Sequence, residues 1–271
     1  MPELPEVETV CQGLKPHIIG HGISEVIVRQ PSLRWMIPKT LAPAVEGEVF
    51  RSIHRRGKYL LIATDSGTII AHLGMSGSFR LCPVEEAYKK HDHVIFILDN
   101  QRSLRYHDPR RFGSIHWTTD NPLDHDLLCR LGPEPLEKAF TAQALFMMLQ
   151  NKNKAVKACL MDHHMLVGVG NIYASEALFK AGVRPNRPAK KVTFEEARLL
   201  HLHIRKLLRR AIKLGGTTLR DFVNADAQPG YFQQTLFVYG REKAPCRTCG
   251  TTLENMRIAQ RSSVYCPTCQ T

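Results

Sequence analysis

The first hydrophobic pattern along the chain has the period of an α-helix. Its apolar residues recur three and four positions apart, at Val7, Val10, Cys11 and Leu14. This spacing predicts one buried helix face. Pro5 suits the first turn, where a backbone N–H is not needed, and Glu6 suits the positive end of the helix dipole. A helix packed on a core anchors the residues before it, so we expect Pro2 and Glu3 to be held in place.

From about residue 23 to residue 117, the pattern changes to the short runs that are typical of β-strands. The runs read SEVIVRQ, YLLIATDSGTIIAHL, SGSFRLC, HVIFILDN and GSIHWTT. TDSG and LDNQRS contain the residues that favour hairpin turns. Because no helical pattern separates these runs, an antiparallel β-sandwich is expected rather than a parallel sheet.

Helical patterns dominate after LGPEPLE at 131–137, which we interpret as a linker. They read TAQALFMMLQN, AVKACLMDHH, NIYASEALFKAG and TFEEARLLHLHIRKLLRRAIKLGG. The last pattern begins with a capping box of Thr193 and Glu196, and Gly215 follows its last turn. Its apolar face comprises Ala197, Leu200, Ile204, Leu207, Leu208 and Ala211. The long helix is therefore expected to pack on a core along one side.

Two CxxC pairs close to the end of the chain are the strongest local signal. Cys246 and Cys249 form the first pair and Cys266 and Cys269 the second, with sixteen residues between the pairs. Two such pairs can close a tetrahedron of thiolates around one Zn²⁺, which leaves no position for water and makes the metal structural. Disulfides or an iron–sulfur site are the alternatives. The intervening segment predicts a β-hairpin that projects basic side chains, namely Arg257 and Arg261.

The other four cysteines lie among apolar neighbours, at Cys11, Cys82, Cys129 and Cys159. We expect them to be reduced core residues. The sequence shows no leader peptide and no run of about 20 apolar residues that could span a membrane, so a cytoplasmic protein is expected.

Charge adds information about partners. Lys and Arg outnumber Asp and Glu by 37 to 25 in 271 residues, a formal net charge of +12. Such an excess favours a polyanionic partner, with nucleic acid first and an anionic membrane surface second.

A glycine turn and two loops are candidate nucleic-acid contacts. Gly168 and Gly170 precede a helix that starts near Asn171, and a helix start presents free N–H groups to an anion. Lys154 and Lys157 lie just upstream. The alternative is an ordinary corner between two helices.

The two loops are LGMSGS, which contains Met75, and DPRRFG, which contains Arg110 and Phe112. Apolar side chains at loop tips of a basic protein suit the wedging of a duplex. The alternative is that they tuck into the core. The histidine pairs at 91–93 and 201–203 are assigned a structural role by default.

These motifs together resemble one family. PELPEVET, HLGMSG, DPRRFG, LGPEPL, GVGNIYASE, GGTTLRDF, PGYF and the four-cysteine segment occur in order from end to end, and they resemble formamidopyrimidine-DNA glycosylase. The resemblance implies a monomeric, bifunctional enzyme of base-excision repair in the bacterial cytosol. It would remove oxidised purines, such as 8-oxoguanine and formamidopyrimidines, from double-stranded DNA and would then cleave the abasic site. It would need one zinc and no nucleotide cofactor.

The resemblance also implies an architecture. The N-terminal β-sandwich would span 1–130 and a helix-two-turn-helix domain 131–225. A lesion-side loop and zinc finger would span 226–271, with the zinc finger proper at about 237–271. The expected fold class is α+β.

Catalytic roles follow from the same resemblance. Pro2 would be the nucleophile that forms a Schiff base, and β- and δ-eliminations would follow. Glu3 would act as general acid and base near the sugar oxygen, and Glu6 would orient the site. Lys58 and Arg261 would complete the catalytic set.

DNA contacts are implied as well. Met75, Arg110 and Phe112 would fill the gap left by an extruded nucleotide. Lys58, Asn171, Arg261 and His91 would bind the backbone, together with the two lysines of the glycine-turn region. The segment at 217–232 would close over the base. The chain departs from the family pattern at His163-His164-Met165, where an amide is expected.

Two other functions remain open on sequence alone. An endonuclease VIII-like enzyme would use the same chemistry on oxidised pyrimidines. A non-catalytic DNA-binding protein with a zinc ribbon would form no covalent intermediate.

Overall fold

Helices and antiparallel strands make up the part of the chain that the computed structural model describes, residues 2–216 and 236–271. The helices are α1 (Leu4–Ile18), α2 (Leu41–Val45), α3 (Ala142–Gln150), α4 (Val156–Leu160), α5 (Asn171–Lys180) and α6 (Phe194–Lys213). The strands are β1 (Ile23–Val28), β2 (Ser52–Arg56), β3 (Tyr59–Ala63), β4 (Thr68–His72), β5 (Ser78–Pro83), β6 (Asp92–Leu98), β7 (Arg102–His107), β8 (Ser114–Thr118), β9 (Glu254–Ile258) and β10 (Arg261–Tyr265). None of the helices in these two ranges has the length and apolar character that crossing a membrane requires.

The described residues form two units. The first contains 2–130 with 215–216, and the second contains 131–214 with 236–271. The three-part domain division stays a prediction, and the expected loop over 217–232 lies outside the described residues.

Two four-stranded sheets form the first unit. Their strand orders are β1-β6-β7-β5 and β2-β3-β4-β8, and every neighbouring pair is antiparallel. Side chains from both sheets and from α1 share one hydrophobic core. The predicted α+β class with an N-terminal helix and an antiparallel β-sandwich is confirmed.

Helix α1 carries the predicted apolar face into that core. Its four predicted positions are 0–2% exposed. The helix begins one residue earlier than expected, at Leu4, because Glu3 adopts an extended conformation and caps it. Pro2 and Glu3 are both buried, which matches the expectation that the helix anchors them.

The hydrophobic pattern did not predict two of the strands, because they are rich in basic residues. Strands β2 and β7 contain SIHRR and SLRYH, in which basic side chains interrupt the apolar pattern. On β7 the Arg105 side chain is completely buried, and its guanidinium donates to the carbonyls of Pro83, Glu86 and Ala87. A buried arginine is tolerated within a strand when its polar groups are hydrogen-bonded. The alternation of apolar and polar residues does not identify such a strand, because the arginine is counted as a polar position.

The second unit is helical up to α6 and ends in a hairpin. Helix α6 begins with the predicted capping box, in which the Thr193 hydroxyl accepts the Glu196 N–H at 3.2 Å. Helix α4 stops at Leu160, short of the predicted run, because the chain turns at Asp162. Strands β9 and β10 form the predicted antiparallel hairpin, and Ala259 and Gln260 at its tip have φ of +46° and +61°.

One cysteine prediction is wrong. Cys11, Cys82 and Cys159 are buried and reduced, but Cys129 is exposed. It lies in the turn-rich segment before residue 131, where its apolar neighbours do not form a helix face or strand face.

Candidate functional site

A side chain in the first turn of α1 fixes the residues that precede the helix, Pro2 and Glu3. The Glu6 carboxylate accepts the backbone N–H of Glu3 at 2.8 Å, and Glu6 is completely buried. Gly216 packs on Glu6, because a Cβ at this position would lie 3.2 Å from Glu6 Oε1, and its φ is +80°. The N-terminal residues are thus fixed at the positive end of a helix dipole.

An ion pair connects α1 to the turn that carries Lys58. Arg55 Nε lies 2.7 Å from Glu8 Oε2, and both side chains are mostly buried. The same guanidinium donates to the Gly57 carbonyl at 3.1 Å. Lys58 is half-buried in this turn between β2 and β3. The structure therefore brings two predicted catalytic segments, the start of α1 and the Lys58 turn, to the same side of the first unit.

His72 stands beside Lys58 as a neutral imidazole. Its Nδ1 accepts the Gly74 N–H at 2.9 Å, so that nitrogen carries no proton. Burial is the main cause that lowers the pKa of His72 to about 4, and the charges of Lys58 and Arg34 lower it further. A neutral ring here avoids placing a second cation next to Lys58.

A buried carboxylate joins the two predicted wedge loops. Asp108 Oδ1 accepts the Ser76 hydroxyl at 2.7 Å, and Oδ2 accepts the Gly113 N–H at 2.8 Å. Asp108 is completely buried. Gly74 has a φ of +61°, and its Cα lies so close to the backbone of residues 112 and 113 that a Cβ would clash. The tips of both loops are therefore in direct backbone contact.

The side chains predicted to wedge DNA are presented at these joined tips. Phe112 is 46% exposed, and the Arg110 guanidinium lies 4.9 Å from the centroid of its ring. Met75 is half-buried on the neighbouring tip. Because nearly half of its side chain is exposed to solvent, the alternative that Phe112 tucks into the core is wrong.

His91 lies next to the Arg110 loop. It is half-buried, and its carbonyl accepts the Asp108 N–H at 3.0 Å. His91 lines an open cavity of 360 Å³ together with Arg29, Lys90, Arg111 and one acidic residue, Asp92. The three basic residues outnumber the acidic one, which suits an anion such as a phosphate group.

In the second unit, Asn171 is the first residue of α5. Its N-cap is Gly170, and the Asn171 side-chain oxygen is buried without a hydrogen-bond partner among the described residues. A buried amide oxygen without a protein partner at a helix start is available to a ligand.

The two lysines upstream of the glycine turn have protein partners. Lys154 Nζ lies 2.6 Å from Asp162 Oδ2 at the surface. The prediction of a direct DNA contact by Lys157 needs correction, because this side chain is 0% exposed. Its ammonium donates to Ser263 Oγ at 2.7 Å and to the Ser262 carbonyl at 3.1 Å. Lys157 therefore supports strand β10, which starts at the exposed Arg261, from inside.

The four cysteines of the CxxC pairs come together as predicted. Their sulfur atoms all lie within 4.8 Å of one another, with 4.0 Å between Cys246 and Cys269 and 3.5 Å between Cys249 and Cys266. Four sulfurs around Zn²⁺ at about 2.3 Å stand about 3.8 Å apart, so the cluster fits one tetrahedral zinc. Hydrogen bonding with Thr251 lowers the pKa of the Cys249 thiol to about 6, whereas burial raises the pKa of the Cys266 and Cys269 thiols. A bound cation is therefore needed to hold all four as thiolates.

Three positioning residues were missed by sequence reasoning. They are His72, Asp108 and Glu176. The last accepts the N–H groups of three consecutive residues, 237–239, at 2.9 Å each, and so attaches the segment before the zinc site to α5. Burial raises the pKa of the Glu176 carboxyl, against the effect of these donors. Asp108 and Glu176 lie within the quoted motifs DPRRFG and NIYASE, but a motif does not show which backbone groups its carboxylate holds.

Three family models match parts of the chain. Residues 1–115 match the family model of the formamidopyrimidine-DNA glycosylase N-terminal domain. Residues 131–223 match that of the formamidopyrimidine-DNA glycosylase H2TH domain. Residues 244–271 match the zinc finger found in FPG and IleRS.

Individual relatives cover the whole chain. The formamidopyrimidine-DNA glycosylase of Shewanella piezotolerans is 51% identical over 270 residues, which is 100% of this chain and 99% of the relative. The crystal structure of the MutM (FPG) protein from Thermus thermophilus has a TM-score of 0.90 at 41% identity and covers 99% of this chain and 98% of its own. Wild-type Fpg (MutM) of Lactococcus lactis, in complex with DNA containing N7-benzyl-Fapy-dG, has a TM-score of 0.92 at 33% identity with full coverage of both chains.

Proposed function

The chain belongs to the formamidopyrimidine-DNA glycosylase family, and from this premise we propose that Pro2 is the nucleophile with which it acts. The protein is a base-excision repair enzyme, a bifunctional DNA glycosylase and abasic-site lyase for oxidised purines. It contains one structural zinc in its four-cysteine site. What remains to be assigned is the part that each side chain plays.

The observation that carries the proposal is the fixed position of Pro2. It lies buried directly before Glu3, whose backbone N–H is held by Glu6. Once the initiator methionine has been removed, Pro2 presents a secondary amine. A nucleophilic amine must be unprotonated, and an α-amine with a pKa of about 7.8 is roughly 14% neutral at pH 7. An ordinary lysine is only about 0.04% neutral.

A secondary amine also suits the later steps. The nitrogen of Pro2 attacks C1′ of the damaged nucleotide, the bond from C1′ to the base breaks, and the base leaves with a proton. The sugar ring opens and leaves a cationic iminium between the proline nitrogen and C1′. This cation withdraws electrons as the two phosphates are eliminated in turn, and covalent catalysis thus divides one difficult step into easier ones.

The neighbouring residues have supporting roles in this proposal. Glu3 exchanges a proton with the sugar oxygen, and Glu6 holds Glu3 in place. Lys58 binds a phosphate and assists proton transfer, and its position is supported by Arg55, which links its turn to α1. Arg261 joins the catalytic set and binds a phosphate from the exposed start of β10.

DNA recognition is divided between the two units in our proposal. In the first unit, Met75, Arg110 and Phe112 fill the space of the extruded nucleotide, and His91 contacts the backbone. In the second, Asn171 contacts a phosphate, and Lys154 takes part only if its ion pair with Asp162 opens. The Lactococcus lactis relative with DNA bound supports a DNA duplex as the partner. We also propose a monomer that acts in the bacterial cytosol, as the bacterial relatives suggest.

Borohydride trapping tests the nucleophile. Duplexes with 8-oxoguanine opposite cytosine should crosslink covalently to the wild-type protein when borohydride reduces the iminium. Pro2→Gly should weaken or abolish the crosslink. Pro43→Gly, which changes an exposed proline of α2, should crosslink like the wild type. Mass spectrometry of the same samples should show that Met1 has been removed.

Three results would count against the proposal. A wild-type protein that never crosslinks would favour a non-catalytic DNA-binding protein. A methionine-blocked protein that excises at the normal rate would exclude Pro2 as the nucleophile. Faster excision of thymine glycol than of 8-oxoguanine would indicate the pyrimidine-directed chemistry of an endonuclease VIII-like enzyme.

A further inference from the structure

Two exposed imidazoles lie side by side in the turn after α4. The ring centroids of His163 and His164 are 4.1 Å apart, although side chains of consecutive residues usually diverge. Both residues are exposed. This pair stands where the chain departs from the family pattern, and the proposed function gives it no role.

A carboxylate completes the group. One ligand atom from each of Asp162, His163 and His164 lies within 4.8 Å of the other two. Two imidazoles and a carboxylate are ligands that zinc, nickel and copper ions accept.

The backbone beneath these side chains is well held. The carbonyl of Asp162 accepts the N–H groups of Met165 and Leu166 at 2.9 Å each, and the carbonyl of His163 accepts the N–H of Gly132 at 2.9 Å. The His164 N–H is bonded to Asp162 Oδ1 at 3.1 Å. Ligand atoms around an ion at about 2.1 Å stand about 3.0–3.4 Å apart, so the three ligand atoms, which lie within 4.8 Å of one another, must approach one another to bind it.

We propose that Asp162, His163 and His164 form a second metal site, which binds a divalent transition-metal ion with nitrogen and oxygen ligands. It differs from the four-cysteine zinc site in chemistry and in completeness. Three protein ligands leave positions open for water or an anion, and the site is at the surface, so its ion exchanges with solvent. With only three protein ligands at the surface, the site binds its ion more weakly than the four-cysteine site binds zinc.

Lys154 competes with this ion. Its ammonium lies 2.6 Å from Asp162 Oδ2, so ion and ammonium share one carboxylate and repel each other. Metal binding therefore weakens the hold of Asp162 on Lys154. Removing the ammonium should tighten metal binding by about two- to fivefold, which corresponds to one exposed ion pair.

The test is a calorimetric titration of the zinc-loaded, full-length protein with NiCl₂ in a buffer that does not bind metals. We expect one Ni²⁺ per chain while the zinc content stays at one per chain. The double variant His163→Gln/His164→Gln should weaken Ni²⁺ binding at least about tenfold, as the loss of two ligands requires. Lys154→Gln should tighten it.

Controls keep the result specific. His54→Gln removes a single exposed histidine from β2 and should leave Ni²⁺ binding unchanged. Zinc content and circular dichroism should show that the double variant is folded. The proposal is overturned if the wild type takes up Ni²⁺ only by releasing zinc, if it takes up none, or if the double variant binds as tightly as the wild type.

Discussion

Protonation of His72 should destabilise the protein as the pH falls below neutrality. The Gly74 N–H donates to Nδ1 of this ring, so a proton on Nδ1 removes the acceptor from the loop tip that carries Met75. The pKa of His72 is about 4 in the folded protein, against an ordinary value of about 6.5 in the unfolded chain. The unfolded state therefore binds more protons than the folded state between these values, and stability rises with pH across this range.

The size of the effect follows from the two pKa values. At pH 7 the histidine contributes almost nothing to the pH dependence, because both states are mostly neutral. At pH 5 the unfolded chain is almost fully protonated at this position and the folded chain is not. Linkage then gives a loss of about 2 kcal/mol in the free energy of unfolding between pH 7 and pH 5 from this one group.

Urea denaturation at pH 7 and pH 5 measures this loss, and a variant isolates it. In His72→Asn the side-chain oxygen can accept the Gly74 N–H but does not titrate. From pH 7 to pH 5, the free energy of unfolding of this variant should fall by about 2 kcal/mol less than that of the wild type falls. The same change at the exposed His54 should leave the difference within about 0.5 kcal/mol. An unchanged difference in His72→Asn, or an NMR titration of His72 with a midpoint near 6.5, would refute the reasoning.

Three further predictions concern the loop tips and the zinc site. Asp108→Ala removes two charge-assisted hydrogen bonds, from Ser76 and Gly113. It should lower the free energy of unfolding, measured by urea denaturation, by about 3 kcal/mol or more. A loss below about 1 kcal/mol would contradict the role of this carboxylate. Phe112→Ala truncates a side chain that is 46% exposed, so the free energy of unfolding should change by less than about 0.5 kcal/mol. The single-turnover rate of 8-oxoguanine excision should fall about tenfold or more. A variant that excises at the wild-type rate would contradict the role of Phe112 as a wedge in the duplex. Chelation of zinc should unfold the hairpin of β9 and β10, as limited proteolysis would show, and abolish DNA binding, as fluorescence anisotropy would show. A hairpin that stays protected from proteolysis would mean that the metal does not stabilise it.

The elements that the sequence predicted best are those whose signal is local. The apolar face of α1 repeats within four turns, the capping box of α6 spans four residues, and each CxxC pair forms its own tight turn. Such signals depend on neighbours in the chain, so no knowledge of the tertiary structure is needed to read them. The Cys246 and Cys266 pairs also meet, because a tetrahedral zinc ion takes four ligands and each pair supplies only two.

The residues that the sequence did not place are those whose environment comes from distant segments. Lys157 looked like a surface lysine, but its partners Ser262 and Ser263 lie more than one hundred residues later. Strand β7 was missed for the same reason. Backbone carbonyls of the 83–87 segment bind the Arg105 guanidinium, and the buried Asp92 carboxylate lies 3.8 Å from it. Asp108 could be read as a turn residue, and only the folded chain shows that it connects two loops.

Burial of basic side chains has a consequence for how the protein responds to salt. Arg105 and Lys157 are both 0% exposed, so they count in the formal charge of +12 but displace no cations from a duplex. The logarithm of the DNA association constant falls with the logarithm of salt concentration by about 0.9 for each phosphate neutralised. That slope will therefore reflect the basic groups that reach the backbone and will be smaller than the formal charge suggests.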